Sequence, residues 1–343
     1  MKLDDNNKQP ANLFNSVRLF AATLVLITHA YVFFEGYNPS LLGQFTLGQI
    51  GVWMFFAVSG YLVSTSWRID PHIIRFLLRR SLRIFPALFI CVLFTALILG
   101  PLVTSLNLKN YFFSSTTWKY FTNSALYITY ALPGVFEQNR FPNAVNGSLW
   151  SLPAEYFMYL CVAVIGVLKF RSYLFIVAAV TFLFFSVTWA STSSDPLVIY
   201  RTDFRQVVMC GAVFFIGVIV DRLDLSRMMN IKTSILALVV LIISYYFSLN
   251  MHLIFTLCLP VITLSIALAP TKQNYLNKWD ISYGLYLYSF PVQQTLAMYY
   301  PAMNVWLSIA IAFALAGLLG ALSWQYLEKK FLKLKPKKPA NCG

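Results

Sequence analysis

Arg18 and His29 stand eleven residues apart in "RLFAATLVLITHAY", inside an apolar stretch that runs from Leu13 to Phe34. An α-helix turns about 100° per residue, so this spacing is three turns plus roughly 20°. The two side chains therefore share one face, about 16 Å apart along the axis, with the small Ala22 and Val25 between them. A guanidinium binds oxyanions through a planar fork of donors, and an imidazole moves protons near neutral pH. A charge at mid-membrane costs on the order of 3 kcal/mol on insertion scales, so such residues tend to face a bundle interior or a wet path. The blander account has Arg18 snorkelling to headgroups and His29 resting neutral near an interface. The shared face favours one elongated slot, anion-binding at the Arg18 mouth and basic at its far end.

Other groups fit that slot. In "RFLLRRSLRIFPAL", Arg75, Arg79 and Arg83 form an i, i+4, i+8 stripe with Arg80 beside it. Such a cluster suits phosphate, and with Arg18 it would hold a polyanion such as a nucleotide-bearing cofactor; as a plain topological anchor it would need no ligand. Glu155 follows Pro153 at the start of "SLPAEYFMYL". Its carboxylate could complement the helix dipole, or orient His29 and sense an acceptor. Ser59-Gly60 lets a helix or a thin ligand come close to the backbone. In "SYGLYLYSFPVQQ", Pro291 breaks a helix beside Tyr283, Tyr288, Ser289, Gln293 and Gln294. Polar groups there either line a cavity or bond one another.

The elements that must carry these residues are membrane helices. The 343 residues are 59% hydrophobic, 17% aromatic and only 11% charged, far from the roughly 25% charge of soluble domains. Ten apolar stretches are long enough to cross a bilayer: Leu13–Phe34, Gly48–Trp67, Ile84–Val103, Leu149–Leu168, Tyr173–Trp189, Gln206–Val220, Ile231–Phe247, Leu253–Ala269, Ile281–Tyr299 and Ala302–Tyr326. The fold class is an all-α integral membrane protein of about ten helices, with one membrane domain over 13–328, a short N-terminal tail over 1–12 and a basic tail over 329–343. The first stretch reads as a retained span rather than a cleaved signal.

The net charge of +14 does not imply nucleic acid, because its placement is one-sided. Lys2, Lys8, the Arg68–Arg83 cluster, Lys169, Arg171, Arg222, Arg227, Lys232, Lys272, Lys278 and the terminal lysines fall on one side, against Lys109, Lys119, Arg140, Arg201 and Arg205 on the other. That bias puts both termini in the cytoplasm, with the basic tail near anionic headgroups. The loop 105–148 then faces outward, and Tyr111, Phe112, Phe113, Trp118, Tyr120, Phe121, Tyr127 and Tyr130 lie in the outer interface or form a lid. Five scattered cysteines, Cys91, Cys161, Cys210, Cys258 and Cys342, give no disulfide framework. His29, His72 and His252 show no paired spacing, so no metal site is expected.

Together these motifs resemble the membrane-bound acyltransferase-3 family, which includes bacterial O-antigen and exopolysaccharide O-acetyltransferases. The likeness rests on the Arg18–His29 spacing, "FFAVSGYL" from Phe55, "RRSLRIFPAL" from Arg79, "SLWSLPAEYFMYL" from Ser148, "SYGLYLYSFPV" from Ser282 and "YLEKKFL" from Tyr326. It implies an enzyme of the bacterial inner membrane that takes an acyl group, usually acetyl, from cytoplasmic acyl-CoA. The acceptor would be a hydroxyl of a glycan or lipid-linked sugar on the outer side; acyl-CoA is then a substrate, and no cofactor is held permanently. By this resemblance His29 is catalytic, as general base or acyl carrier, and Arg18, Arg79, Arg80 and Arg83 hold the CoA phosphates. Glu155 joins the catalytic set, and Ser59, Gly60, Tyr283 and Ser289 line the cavity. Three positions depart from the family pattern: Trp53 and Ser289 replace an acidic residue and a histidine, and Lys330 replaces a proline. Many relatives add a soluble esterase-like domain after the last span; none is expected here. The competing function is a transporter or flippase for a glycan or lipid precursor, which leaves the arginine cluster and the deep histidine without a joint purpose.

Overall fold

A computed structural model describes residues 12–168, 173–271 and 279–336. Lys2, Lys8, Lys169, Arg171, Lys272, Lys278 and Cys342 lie outside these residues. The described residues are helical almost throughout and include two minimal antiparallel hairpins, Ser40–Leu41 with Phe45–Thr46 and Val198–Ile199 with Thr202–Asp203.

Ten main helices follow the apolar stretches: α1 Phe14–Ala30, α2 Leu47–Ile69, α3 Ile73–Phe94, α4 Ser151–Val167, α5 Tyr173–Phe185, α6 Phe204–Arg222, α7 Ile231–Tyr246, α8 Met251–Ala267, α9 Ser282–Tyr299 and α10 Val305–Ser323. With their continuing turns, seven are long and apolar enough to cross a membrane; α7 and α8 are shorter, and α9 is not among the seven. By length and apolarity the described residues thus support a multi-pass membrane protein with seven candidate crossings, where the sequence reading has ten. The third helix begins at Ile73 rather than Ile84, because His72 caps it by accepting from the Arg75 amide. The arginine stripe is therefore part of the helix itself.

Helix α2 lies at the centre, packed on α1, α6 and α8. Glycines set how close it comes to its neighbours. A Cβ at Gly51 would strike the Ala21 carbonyl of α1, and one at Gly60 the Phe214 carbonyl of α6; across that second seam Gly217 meets the Ala57 carbonyl in the same way. Gly60 is therefore a packing residue and lines neither of the cavities described below, contrary to the sequence expectation. Gly60→Ala is expected to push α2 from α6 and destabilise the protein by about 1–3 kcal/mol. Its thermal unfolding midpoint in detergent, beside a Gly317→Ala control whose Cβ meets nothing, checks this.

Pro291 has no amide proton to give the carbonyl of Leu287, one turn earlier on α9. That carbonyl accepts instead from Asn146 Nδ2 at 2.8 Å, at the end of the long loop. Gln294 extends the attachment, donating to the Phe141 and Ala144 carbonyls, while Asn139 donates back to it. Gln293 donates to the Leu26 carbonyl of α1. The two glutamines of α9 are thus spent on fixing the loop and α1, not on lining either cavity. Ser289 is likewise fully buried, lines neither cavity and has no hydrogen-bond partner among the described residues, so its expected cavity role is not supported. The loop itself is built, with short helices at Leu108–Phe113 and Ser115–Lys119 and Tyr111 bonded to the Ala96 carbonyl.

Candidate functional site

Two cavities lie along α1, one at each of the residues that sequence spacing singled out. The first, about 430 Å³, is lined by Arg18, Arg80, Arg83, Lys335, Glu155 and Asp280, among others. Three separate elements bring its cations together. Arg18 comes from the first turns of α1 and Arg80 and Arg83 from α3. Lys335 follows the short helix Lys329–Lys333 that continues α10. The first and last described helices therefore meet at this one cavity.

Its charges are unequally engaged. Arg83 is the hub: it pairs closely with Asp280, lies 3.8 Å from Glu328 and sits over the Trp324 ring. Asp280 also accepts from Ser282 Oγ at 2.6 Å and lies 3.8 Å from Arg18. Arg80 rests between the Phe76 and Tyr159 rings, and its buried Nε has no hydrogen-bond partner among the described residues. Lys335 pairs with no carboxylate among them. Burial, reinforced by Arg80, Arg83, Arg18 and Arg79, lowers its ammonium to about 8. Orphaned donors and crowded cations are what an oxyanion site requires before its ligand arrives.

Arg79 does not join this group. Asp70, in the turn between α2 and α3, takes Arg75 through two bonds of 2.9 and 2.6 Å and Arg79 through one of 2.6 Å. The carboxylate thus occupies Arg79 outside the cavity, and Lys335 supplies the fourth cation in its place. Glu155 also differs from expectation. It accepts from Ser59 Oγ at 2.6 Å and from Tyr159 at 2.5 Å within the arginine cavity, not beside His29. It does not line the histidine cavity, and no hydrogen bond joins it to the imidazole among the described residues. Ser59 and Tyr283 do line the cavity, and Tyr283 donates to the Ile84 carbonyl.

The second cavity, about 900 Å³, holds His29. Phe33 stacks on the imidazole with centroids 6.0 Å apart, and Phe290 meets it edge-on at 4.8 Å. Its buried Nδ1 has no hydrogen-bond partner among the described residues. Just beyond, α1 widens into a π turn over Tyr31–Glu35, a distortion often found at functional sites. The pinned loop covers this cavity with Tyr130, Phe141, Pro142 and Asn143. Of the loop aromatics named from sequence only Tyr130 reaches it; Tyr111 and Tyr120 are core, while Phe113 and Trp118 are exposed. Gln49, Trp53, Asp203 and Gln206 add polar lining.

Val52 and Tyr286 line both cavities. A basic pocket thus stands in line with a histidine chamber along one helix. The sequence model of the acyltransferase domain matches residues 13–325, nearly all of this architecture. The chain belongs to the acyltransferase-3 family. An O-acetyl transferase of Shigella phage Sf6 is 30% identical to it over 330 residues, covering 94% of this chain and 96% of that protein. Nodulation protein 10 of Rhizobium leguminosarum bv. viciae is 27% identical over 350 residues, 94% of each. No solved structure matches. Membership and the O-acetyl transferase relative support acyl transfer to a hydroxyl as the chemistry of this acyltransferase.

Four residues of the site were not singled out from sequence: Asp280, Tyr286, Glu328 and Lys335. Asp280 had one available signal, a carboxylate two residues ahead of the "SYGLYL" motif. Lys335 had none, since a basic tail reads equally well as a headgroup anchor.

Proposed function

We propose that this protein transfers an acyl group, most simply acetyl, from cytoplasmic acyl-CoA to a sugar hydroxyl of a glycan or lipid-linked precursor at the outer side of a bacterial inner membrane. The observation that carries this reading is the alignment of a four-cation pocket with a histidine chamber on the single face of α1. Arg18, Arg80, Arg83 and Lys335 bind the CoA phosphates, and the slender arm runs along α1 toward His29. The acceptor enters the larger cavity under the loop 105–148.

His29 takes the proton of the acceptor hydroxyl, and that oxygen attacks the thioester carbonyl. A new C–O bond forms, the C–S bond breaks, and the CoA thiolate recovers the proton from the imidazolium. Ser59, whose hydroxyl bonds the Glu155 carboxylate, lies in the arginine cavity and not beside His29, which favours direct attack over a protein-bound acyl group. Acyl-CoA consumption by purified protein in lipid, wild type beside His29→Ala, tests the proposal. Absence of both CoA binding and turnover in folded wild type would overturn it.

Lys335 gives a pH-dependent corollary. Below about 8 it is an ammonium and attracts phosphate; as pH rises through that value it becomes neutral. CoA affinity is expected to fall between pH 7 and 9, and Lys335→Ala to weaken binding about tenfold at pH 7, roughly 1.4 kcal/mol. The variant should also lose most of the slope. Isothermal titration of CoA at three pH values reads both.

A further inference from the structure

Only Val52 and Tyr286 line both cavities, among the described residues. They come from facing elements, α2 and α9, and both side chains are otherwise buried. Tyr286 is also held firmly. Its hydroxyl donates to the Ser148 carbonyl at 2.8 Å and, with that proton committed, accepts from Ser151 Oγ at 2.7 Å. Ser148 lines the histidine cavity and Ser151 the arginine cavity, so the phenol is tied on either side of the wall it forms. Phe55 packs edge-on to the same ring at 5.7 Å, which leaves the tyrosine little room to swing aside.

We infer that Val52 and Tyr286 form the neck of one continuous passage, and that this neck selects the acyl group by size. The inference rests on the acyl-transfer reading above. The polar pocket around Arg83 recognises the constant part of the donor, which is the same for every acyl-CoA. The width of the acyl group can be sensed only where it moves toward His29, and there the route narrows between a β-branched side chain with few rotamers and a tyrosine fixed by two hydrogen bonds. Acetyl is no thicker than the flat amides of the arm behind it and passes; a branch beside the thioester carbonyl must be accommodated by a wall that does not yield. A branch methyl resisted by a close-fitting wall changes selectivity by about tenfold or more.

The test uses the full chain in lipid with acetyl-CoA and the branched isobutyryl-CoA. Val52→Ala is expected to raise the ratio of isobutyryl to acetyl turnover by about tenfold. Val52→Phe is expected to stop transfer of both, with a thermal unfolding midpoint near the wild-type value to show that the variant is folded. An unchanged acyl ratio in Val52→Ala, or wild-type acetyl transfer in Val52→Phe, would overturn the neck while leaving acyl transfer standing. Wild type that binds and consumes no acyl-CoA would overturn the underlying reading, and the neck with it.

Discussion

His29→Ala is expected to lower the transfer rate by about 10²- to 10⁴-fold, the range typical of a lost general base, and to leave CoA affinity near the wild-type value. The split follows from position. The cations that would hold CoA begin at Arg18, about 16 Å away along α1, and His29 touches none of the groups that arrange them. The effect should therefore appear in kcat rather than in donor binding. No carboxylate among the described residues bonds the imidazole; the Phe33 and Phe290 rings hold it instead. Such a base is oriented by packing, so removing the ring leaves a ring-sized void opening on a roomy chamber. Free imidazole, small enough to enter that void, is expected to restore part of the rate. Loss of activity by misfolding would show no such rescue, and a variant with undiminished turnover would exclude His29 as the base. Initial rates at saturating donor, with and without imidazole, settle the point.

What could be read from the sequence divides by range. Arg18 and His29 were legible because a helix converts eleven residues into a shared face, and that relation needs no tertiary contact. The helix-bearing segments were legible because bilayer thickness sets a minimum length for apolar runs. Arg79 misled for the same reason that Arg83 did not: a stripe of arginines says which side chains are neighbours, not which carboxylate claims them. Asp70 lies across a turn, and only the folded turn shows that it takes Arg75 and Arg79 while Arg83 remains for Asp280. Glu155 misled because a shared outer side does not fix which cavity a side chain enters; its bonds to Ser59 and Tyr159 hold it in the arginine cavity. Ser59 was recognised as a place of close approach, yet its bond to Glu155 joins residues far apart in the chain. Gln293 and Gln294 sit beside a proline, where cavity lining and backbone repair have the same sequence signature; the hydrogen bonds to Leu26, Phe141 and Ala144 decide for repair.

Arg83→Ala should be the most damaging change in the arginine cavity, for two separable reasons. The first is structural. Asp280 and Glu328 are only 5% and 3% exposed, and Arg83 is the cation that both of them face. Removing one partner of a buried ion pair leaves charge without compensation, typically at about 3–5 kcal/mol. Arg18, at 3.8 Å from Asp280, offsets part of this. The second reason is ligand binding. Loss of a buried charge that engages phosphate costs about 2 kcal/mol or more, roughly thirtyfold in affinity. A second substitution separates the two. In Arg83→Ala/Asp280→Asn the orphaned carboxylate is gone, so the thermal midpoint is expected to recover in part, with a measurable coupling between the sites. CoA affinity should stay low, because the fork proposed to bind phosphate is still missing. Arg83→Lys keeps the charge but not the fork, and its affinity should fall between those of wild type and Arg83→Ala. If the double variant instead binds CoA as wild type does, Arg83 serves only to neutralise Asp280, and the phosphate contact passes to Arg18, Arg80 and Lys335.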